Sequence, residues 1–187
     1  GSTDGAMAFT LTADQYAASS KMLQTVFGKV SGTPNATYAV TGMDIDMPGT
    51  AMKAALADKR LSSLSITATA AEVTANFTTL AANAGKIDKV TVTDSANAIA
   101  MTGQQYLDTS AGLLTKIKDG ADSAAAIKVS LSGAKVTNLV AFNGDSKITA
   151  LTVKDTAANI AANLATGTGA ALNNAKVATI AQTDGTA

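Results

Sequence analysis

Carboxylates are the strongest candidates for chemistry in this chain. The stretch "MDIDMPG", Met43–Gly49, sets Asp44 and Asp46 two positions apart. In a strand they would share a face and could contribute oxygens to a calcium ion. Calcium takes about six or more oxygens, and the further acidic positions and the glycine of an EF-hand loop are missing. The spacing reads better as a solvated turn into a helix begun by Pro48. Asp94, Asp155 and Asp184 recur at the ends of strand-like phrases. Stacked, they would form a row of carboxylates attractive to cations; as turn residues they would bind nearby backbone amides. Ala68 stands in the matching place of another phrase, which favours the turn.

Other catalytic groups are scarce. Neither His nor Cys occurs, which removes imidazole catalysis, thiol chemistry, disulfides and thiolate zinc sites. Ser and Thr are abundant, but no His activates them and no "GxSxG" elbow is present. "GTGA", Gly167–Ala170, lacks the lysine and strand context of a phosphate loop and reads as an insertion ending a helix. Asn76 and Asn163 fall at equivalent helical positions. They suggest either a row of polar contacts or, preferably, side chains bonded to a neighbouring rung's backbone. Met22, Met47 and Met52 read as core filler. No catalytic, cofactor or metal residue is assigned beyond the weak pair Asp44 and Asp46.

The elements that would position these residues are written twice. "FTLTADQYAASSKMLQTVF" from Phe9 matches "IAMTGQQYLDTSAGLLTKI" from Ile99, and "YAVTG" at Tyr38 matches "VSLSG" at Val129. "SITATAAEVTANFTTL" from Ser65 matches "TVKDTAANIAANLATG" from Thr152, and "KIDKVTVTD" from Lys86 matches "KVATIAQTD" from Lys176. The offsets run from 87 to 91, so two copies of a unit of about 90 residues follow one another. Inside the unit recurs a shorter phrase: basic, aliphatic, two variable residues, aliphatic, variable, aliphatic. It stands at Arg60, Lys86, Lys147 and Lys176, with Gln182 in the last aliphatic place of the fourth. Its alternation and β-branched content predict strands.

Helices are predicted after most strands. Val73, Phe77 and Leu80 share one helical face; so do Ile160 and Leu164, then Tyr16, Leu23 and Phe27, then Tyr106, Leu113 and Ile117. "TAAE" at Thr69, "TADQ" at Thr12 and "TGQQ" at Thr102 are capping boxes, with "TAAN" at Thr156 a weaker version. Each strand–helix rung is too short to bury its own apolar face. Stacking solves that, and predicts an α/β solenoid with a parallel sheet and right-handed crossovers. The expected organisation is an expression scar at 1–7, a first unit at 8–94 and a second at 95–187, in one continuous stack. An extra strand is expected at the boundary, around "VTVTDSANAIAMTG".

Lys plus Arg and Asp plus Glu balance at 14 each, and only 15% of residues are charged. With no basic face, nucleic acid is not an expected partner. No apolar run approaches the roughly 18 residues of a membrane span.

The ordered phrases "VTVTD", "TLTADQY", "YAVTG" and "SITATAAEVTANFTTL" resemble repeats of very large bacterial surface and secreted proteins, the hemolysin-type or type I-secreted repeat proteins. The resemblance spans Phe9 to about Asp184. It implies an extracellular, structural or adhesive role and carries over no catalytic residues. The Gly/Asp-rich nonapeptide that binds calcium in many such proteins is absent. Expected partners are adjoining repeats or end-to-end copies, with a surface protein or glycan as a further candidate. Both ends of the sequence read as cut from a longer chain.

Overall fold

The computed structural model describes residues 8–29, 37–45, 51–165 and 171–184. The stretch at 1–7, Asp46, Met47, Pro48 and Gly167–Ala170 lie outside them, as does the side chain of Phe27.

The fold is mixed α/β, with strands in two parallel sheets. The first sheet has the order β1 (Ala8–Thr12), β2 (Thr37–Asp44), β3 (Leu61–Ala68), β4 (Ile87–Val92) and β6 (Ile117–Asp119). The second has β5 (Ala98–Thr102), β7 (Lys128–Ala134), β8 (Ile148–Asp155) and β9 (Val177–Gln182). Every strand pair is parallel. Helices fill the crossovers: α1 (Ala13–Lys29), α2 (Ala51–Ala57), α3 (Ala70–Ala82), α4 (Gly103–Thr109), α5 (Leu113–Lys116), α6 (Leu139–Gly144, entered by a 3-10 turn at Val136–Asn138) and α7 (Ala157–Ala165). The buried faces of both sheets and the inner faces of the helices share one apolar cluster.

One continuous sheet was expected, and there are two. The break falls where the extra strand was expected. β4 and β5 follow each other through a turn, yet β5 leaves the first sheet and lies against α3. There the Ala100 amide donates to the Thr74 hydroxyl at 2.9 Å, so a helix side chain occupies the strand edge. The chain then returns to the first sheet as β6, beside β4.

A second difference follows from that return. Tyr106, Leu113 and Ile117 were expected on one long helix, but α4 ends at Thr109 and α5 is a single turn after Gly112. Ile117 is buried in β6 instead. The pair Lys116–Ile117 is a shortened strand phrase, and pairing with β4 outweighs helical continuation.

The strand phrase departs from strict alternation for a visible reason. Leu64 pairs with Ile87 and Ser65 with Lys89, so Asp88 is an extra residue. Ser62, Thr149 and Ala178 are skipped in the same way, each directly after the first aliphatic residue. A bulge there returns the next two aliphatic residues to the core, giving the same burial sequence along β3, β4 and β8. A second bulge is shared by "YAVTG" and "VSLSG". Between Val40 and Met43, and between Leu131 and Ala134, the strand gains one residue over its neighbour. Gly42 and Gly133 sit in these bulges with φ of 68° and 64°. A Cβ at either would meet open space, so the left-handed backbone, not crowding, requires glycine.

The capping boxes form as read. Glu72 N–H donates to Thr69 Oγ1 at 3.3 Å and Thr69 N–H to Glu72 Oε2 at 2.6 Å. Thr102 with Gln105 and Thr12 with Gln15 make the same reciprocal pairs. At Thr156 only half forms: Asn159 N–H reaches Oγ1, but the shorter Asn159 side chain donates to Asp155 instead. Replacing Thr69 or Thr102 with Ala should each lower stability by about 1 kcal/mol, read as a shift in the urea midpoint at constant slope. Unchanged midpoints in both variants would contradict the assigned helix starts.

Candidate functional site

Because every strand runs the same way, each helix in a crossover runs back against it. Within each sheet, a helix that links two paired strands therefore starts near the strand ends and finishes near the strand starts. These two sides carry opposite partial charge, and the charged residues of the strand phrases meet them.

Asp94, just past β4, accepts from the Ala70 amide at 2.6 Å, the first residue of α3. Asp184, just past β9, accepts from the Ala157 amide at 2.8 Å, the first residue of α7. Asp155, ending β8, accepts from the Val136 amide at 3.0 Å, where the 3-10 turn begins. As expected of a turn carboxylate, Asp155 also accepts from the local Thr156 amide at 2.9 Å, but all three carboxylates in addition reach amides 19 to 27 positions away. The Asn97 and Ala70 contacts hold the Asp94 carboxyl below the usual range. Asp155, 3% exposed, is lowered by the Asn159 amide first, against the opposing effect of desolvation, and then by the Val136 and Thr156 amides and Lys135. Stabilisation from both is present above about pH 4 and is lost as pH falls through their depressed folded values.

The strand starts answer with lysine. Lys86, before β4, donates to the carbonyls of Leu56 and Asp58 at the end of α2, the latter at 2.8 Å. Lys176, before β9, donates to the carbonyls of Asn143 and Asp145 at the end of α6, at 2.8 and 2.7 Å. Lys116, before β6, reaches the carbonyls of Ala84 and Ile87 beyond the end of α3, at 2.7 and 2.6 Å. A cation here adds a charged donor to carbonyls clustered after the helix ends, where those of Asp58, Asp145 and Ala84 also accept from the Leu61, Ile148 and Ile87 amides, and it opposes the helix's negative end.

A tyrosine–aspartate pair backs two of the same corners. The Tyr38 hydroxyl donates to Asp58 Oδ2 at 2.8 Å, while Asp58 Oδ1 accepts from the Arg60 amide. The Tyr106 hydroxyl donates to Asp145 Oδ2, while Asp145 Oδ1 accepts from the Lys147 amide. Burial first, then the carboxylate, pushes both phenols far above their ordinary value. A phenol held protonated in this way is a permanent donor, not a base. Tyr16 stacks on Tyr38 with ring centroids 5.9 Å apart, and Phe142 meets Tyr106 edge-on at the same distance.

The remaining candidates do not converge. Asp44 is exposed at the end of β2, and among the described residues no group of three or more carboxylates is placed to hold a metal ion. Asn76 donates to the Glu72 carbonyl of its own helix, not to a neighbouring rung. Its counterpart Asn163 is half-buried on α7. The amide that does cross between rungs is Asn143, which donates to the Ala171 carbonyl at 2.8 Å. Met52 is buried, but Met22 is exposed on α1. An open trough of about 200 Å³ crosses the second sheet, lined by small residues that include Ala100, Ser130, Thr152 and Ala178.

No family model, curated protein or solved structure matches the chain. The site geometry alone therefore bears on function, and it describes clamps between rungs. Lys86→Met and Lys176→Met should each cost about 1.5 to 3 kcal/mol, because truncation leaves two helix-end carbonyls without a charged donor. Chemical denaturation of each variant reads the loss. Wild-type stability in both would show that the lysines are surface residues whose contacts do not matter.

Proposed function

We propose that this chain is a non-catalytic structural segment of a large bacterial extracellular protein, acting as a stalk, spacer or surface-lattice module. Its form is a strand–helix solenoid of two copies of a unit of about 90 residues. The observation that supports this most is the use of charge. Lys86 and Lys176 are bound to carbonyls at helix ends, Lys116 to carbonyls leading into β4, and Asp94, Asp155 and Asp184 to amides that begin helical turns in other crossovers or the one before their own strand. Side chains spent in this way tie one rung to the next and leave none of them poised for acid–base work.

Equivalent features recur at equivalent places, which favours the two-copy reading. The Gly42 and Gly133 bulges, the Asp58 and Asp145 turns, and the Lys86 and Lys176 clamps each occur once per unit. An extracellular site of action rests on the resemblance of the phrases to type I-secreted repeats. Among the described residues no helix is long and apolar enough to cross a membrane.

The second reading is an adhesive module for a protein, glycan or cation. The trough on the second sheet favours it. No aromatic ring lines that trough, so it has no stacking platform for a sugar.

Tandem fusions of one, two and three copies separate the two readings. A stacked spacer should lengthen by a constant increment per copy in small-angle scattering, with a constant cross-section. A maximum dimension that fluctuates as for beads on a flexible linker would count against a stalk.

A further inference from the structure

Positions that correspond between the two units are buried very differently. Phe77 on α3 is 2% exposed, while Leu164, 87 positions on in α7, is 58% exposed. Val90 in β4 is fully buried, while Ile180, 90 positions on in β9, is 48% exposed. The difference has an identifiable source. α3 is covered by β5, and β4 is paired on its outer side by β6. Both covering strands come from the opening of the second unit.

The opposite end shows the mirror of this. Ile99 and Met101 are buried in β5, the strand that lies against α3. Their counterparts 90 positions earlier, Phe9 and Leu11 of β1, are only partly buried. β1 has the same five-residue length as β5 and runs into the same capping box. β1 is thus an uncovered β5, and α7 with β9 is an uncovered α3 with β4. The junction inside the chain supplies the pattern for how the two surfaces meet.

We propose that two copies of this chain associate head to tail, with β1 of one copy laid along α7 of the other. Phe9 and Leu11 pack against Ile160 and Leu164 in that contact, as Ile99 and Met101 pack at the internal junction. This rests on the stacked-repeat reading above and names its partner. The two surfaces differ, so the contact is heterologous and growth is open-ended rather than closed at a dimer.

One bond of the template is missing, and its restoration is diagnostic. Thr74 Oγ1 accepts from the edge amide of Ala100 and donates to the Ala70 carbonyl. Ala161 stands at the corresponding place on α7 and is exposed. Ala161→Thr should provide an acceptor for the Thr10 amide of the second copy.

Sedimentation equilibrium of the full chain from micromolar to millimolar concentration tests the contact. The mass average is expected to rise with concentration and to pass that of a dimer. Leu164→Glu should abolish the rise without altering the thermal melt, since that side chain is exposed in the single copy. Ile180→Lys, on β9 and outside that contact, is the control and should leave the rise in place. Ala161→Thr should tighten association by about fivefold, the worth of one added hydrogen bond. A monomer at every concentration, a plateau at the dimer, or association unchanged by Leu164→Glu would overturn the proposal. A strict monomer whose tandem fusions still lengthen linearly would remove this contact between separate copies and leave the stalk reading standing.

Discussion

Strand polarity is the constraint on which the rest of this structure depends. An all-parallel sheet with helical crossovers forces every helix to return in the same sense. Within each sheet, like ends of the crossover helix dipoles then lie on the same side, positive at the strand ends and negative at the strand starts. Unanswered, each side repels itself and leaves amides or carbonyls unpaired at every helix end. The chain answers with a rule that begins a strand with lysine and ends it with aspartate. Lys86 and Asp94 bracket β4, and Lys176 and Asp184 bracket β9. Asp94 and Asp184 accept from the first amide of the helix that leads into their own strand, and Lys86 and Lys176 donate to the end of the helix one crossover earlier. Strand pairing and helix formation are thus coupled here, because residues flanking one strand complete the end of a helix in a crossover.

Two further devices serve the same polarity. Bulges after the first aliphatic residue of each phrase set where the later side chains point, and those at Gly42 and Gly133 let β2 and β7 carry one more residue than their partners. The corners that lead from helix to strand are held by an aspartate that accepts at once from a buried phenol and from the backbone two residues on. At Gly103 the first turn of α4 comes so close to β7 that a Cβ would lie 3.1 Å from Ala134 Cα. Ninety positions earlier, the first residue of α1 is Ala13, which carries a Cβ.

Much of this was legible in the sequence wherever cause and effect lie within four residues. Strand phrases, the apolar stripe Val73–Phe77–Leu80 and the capping boxes are of that kind, and each was found where it was read. The lysine and aspartate positions were visible too, but not their purpose, since their partners lie 19 to 33 positions away. Asp94 does lie in the turn after β4 and accepts from Asn97 three residues on, but that turn gives no sign of its second bond, to the Ala70 amide. The division into two sheets left no local trace, because β4 and β5 both read as strands and only their partners differ. β6 was hidden by its brevity: "LLTKI" has helical spacing, and the break at Gly112 is the sole warning. Leu164 read as core because its stripe matches that of Phe77; periodicity states which face is apolar, not what covers it.

The central claim is that a carboxylate from one rung holds the first amide of the preceding rung's helix. The most direct measurement follows the Ala70 amide by NMR across an acid titration. Asp94 has a lowered folded pKa, through Asn97 and the Ala70 amide itself. The Ala70 resonance should therefore move with a midpoint below the ordinary aspartate value of about 3.9, and that movement should vanish in Asp94→Asn. An Ala70 resonance that stays flat through the acid range, or titrates unchanged in the variant, would contradict the clamp.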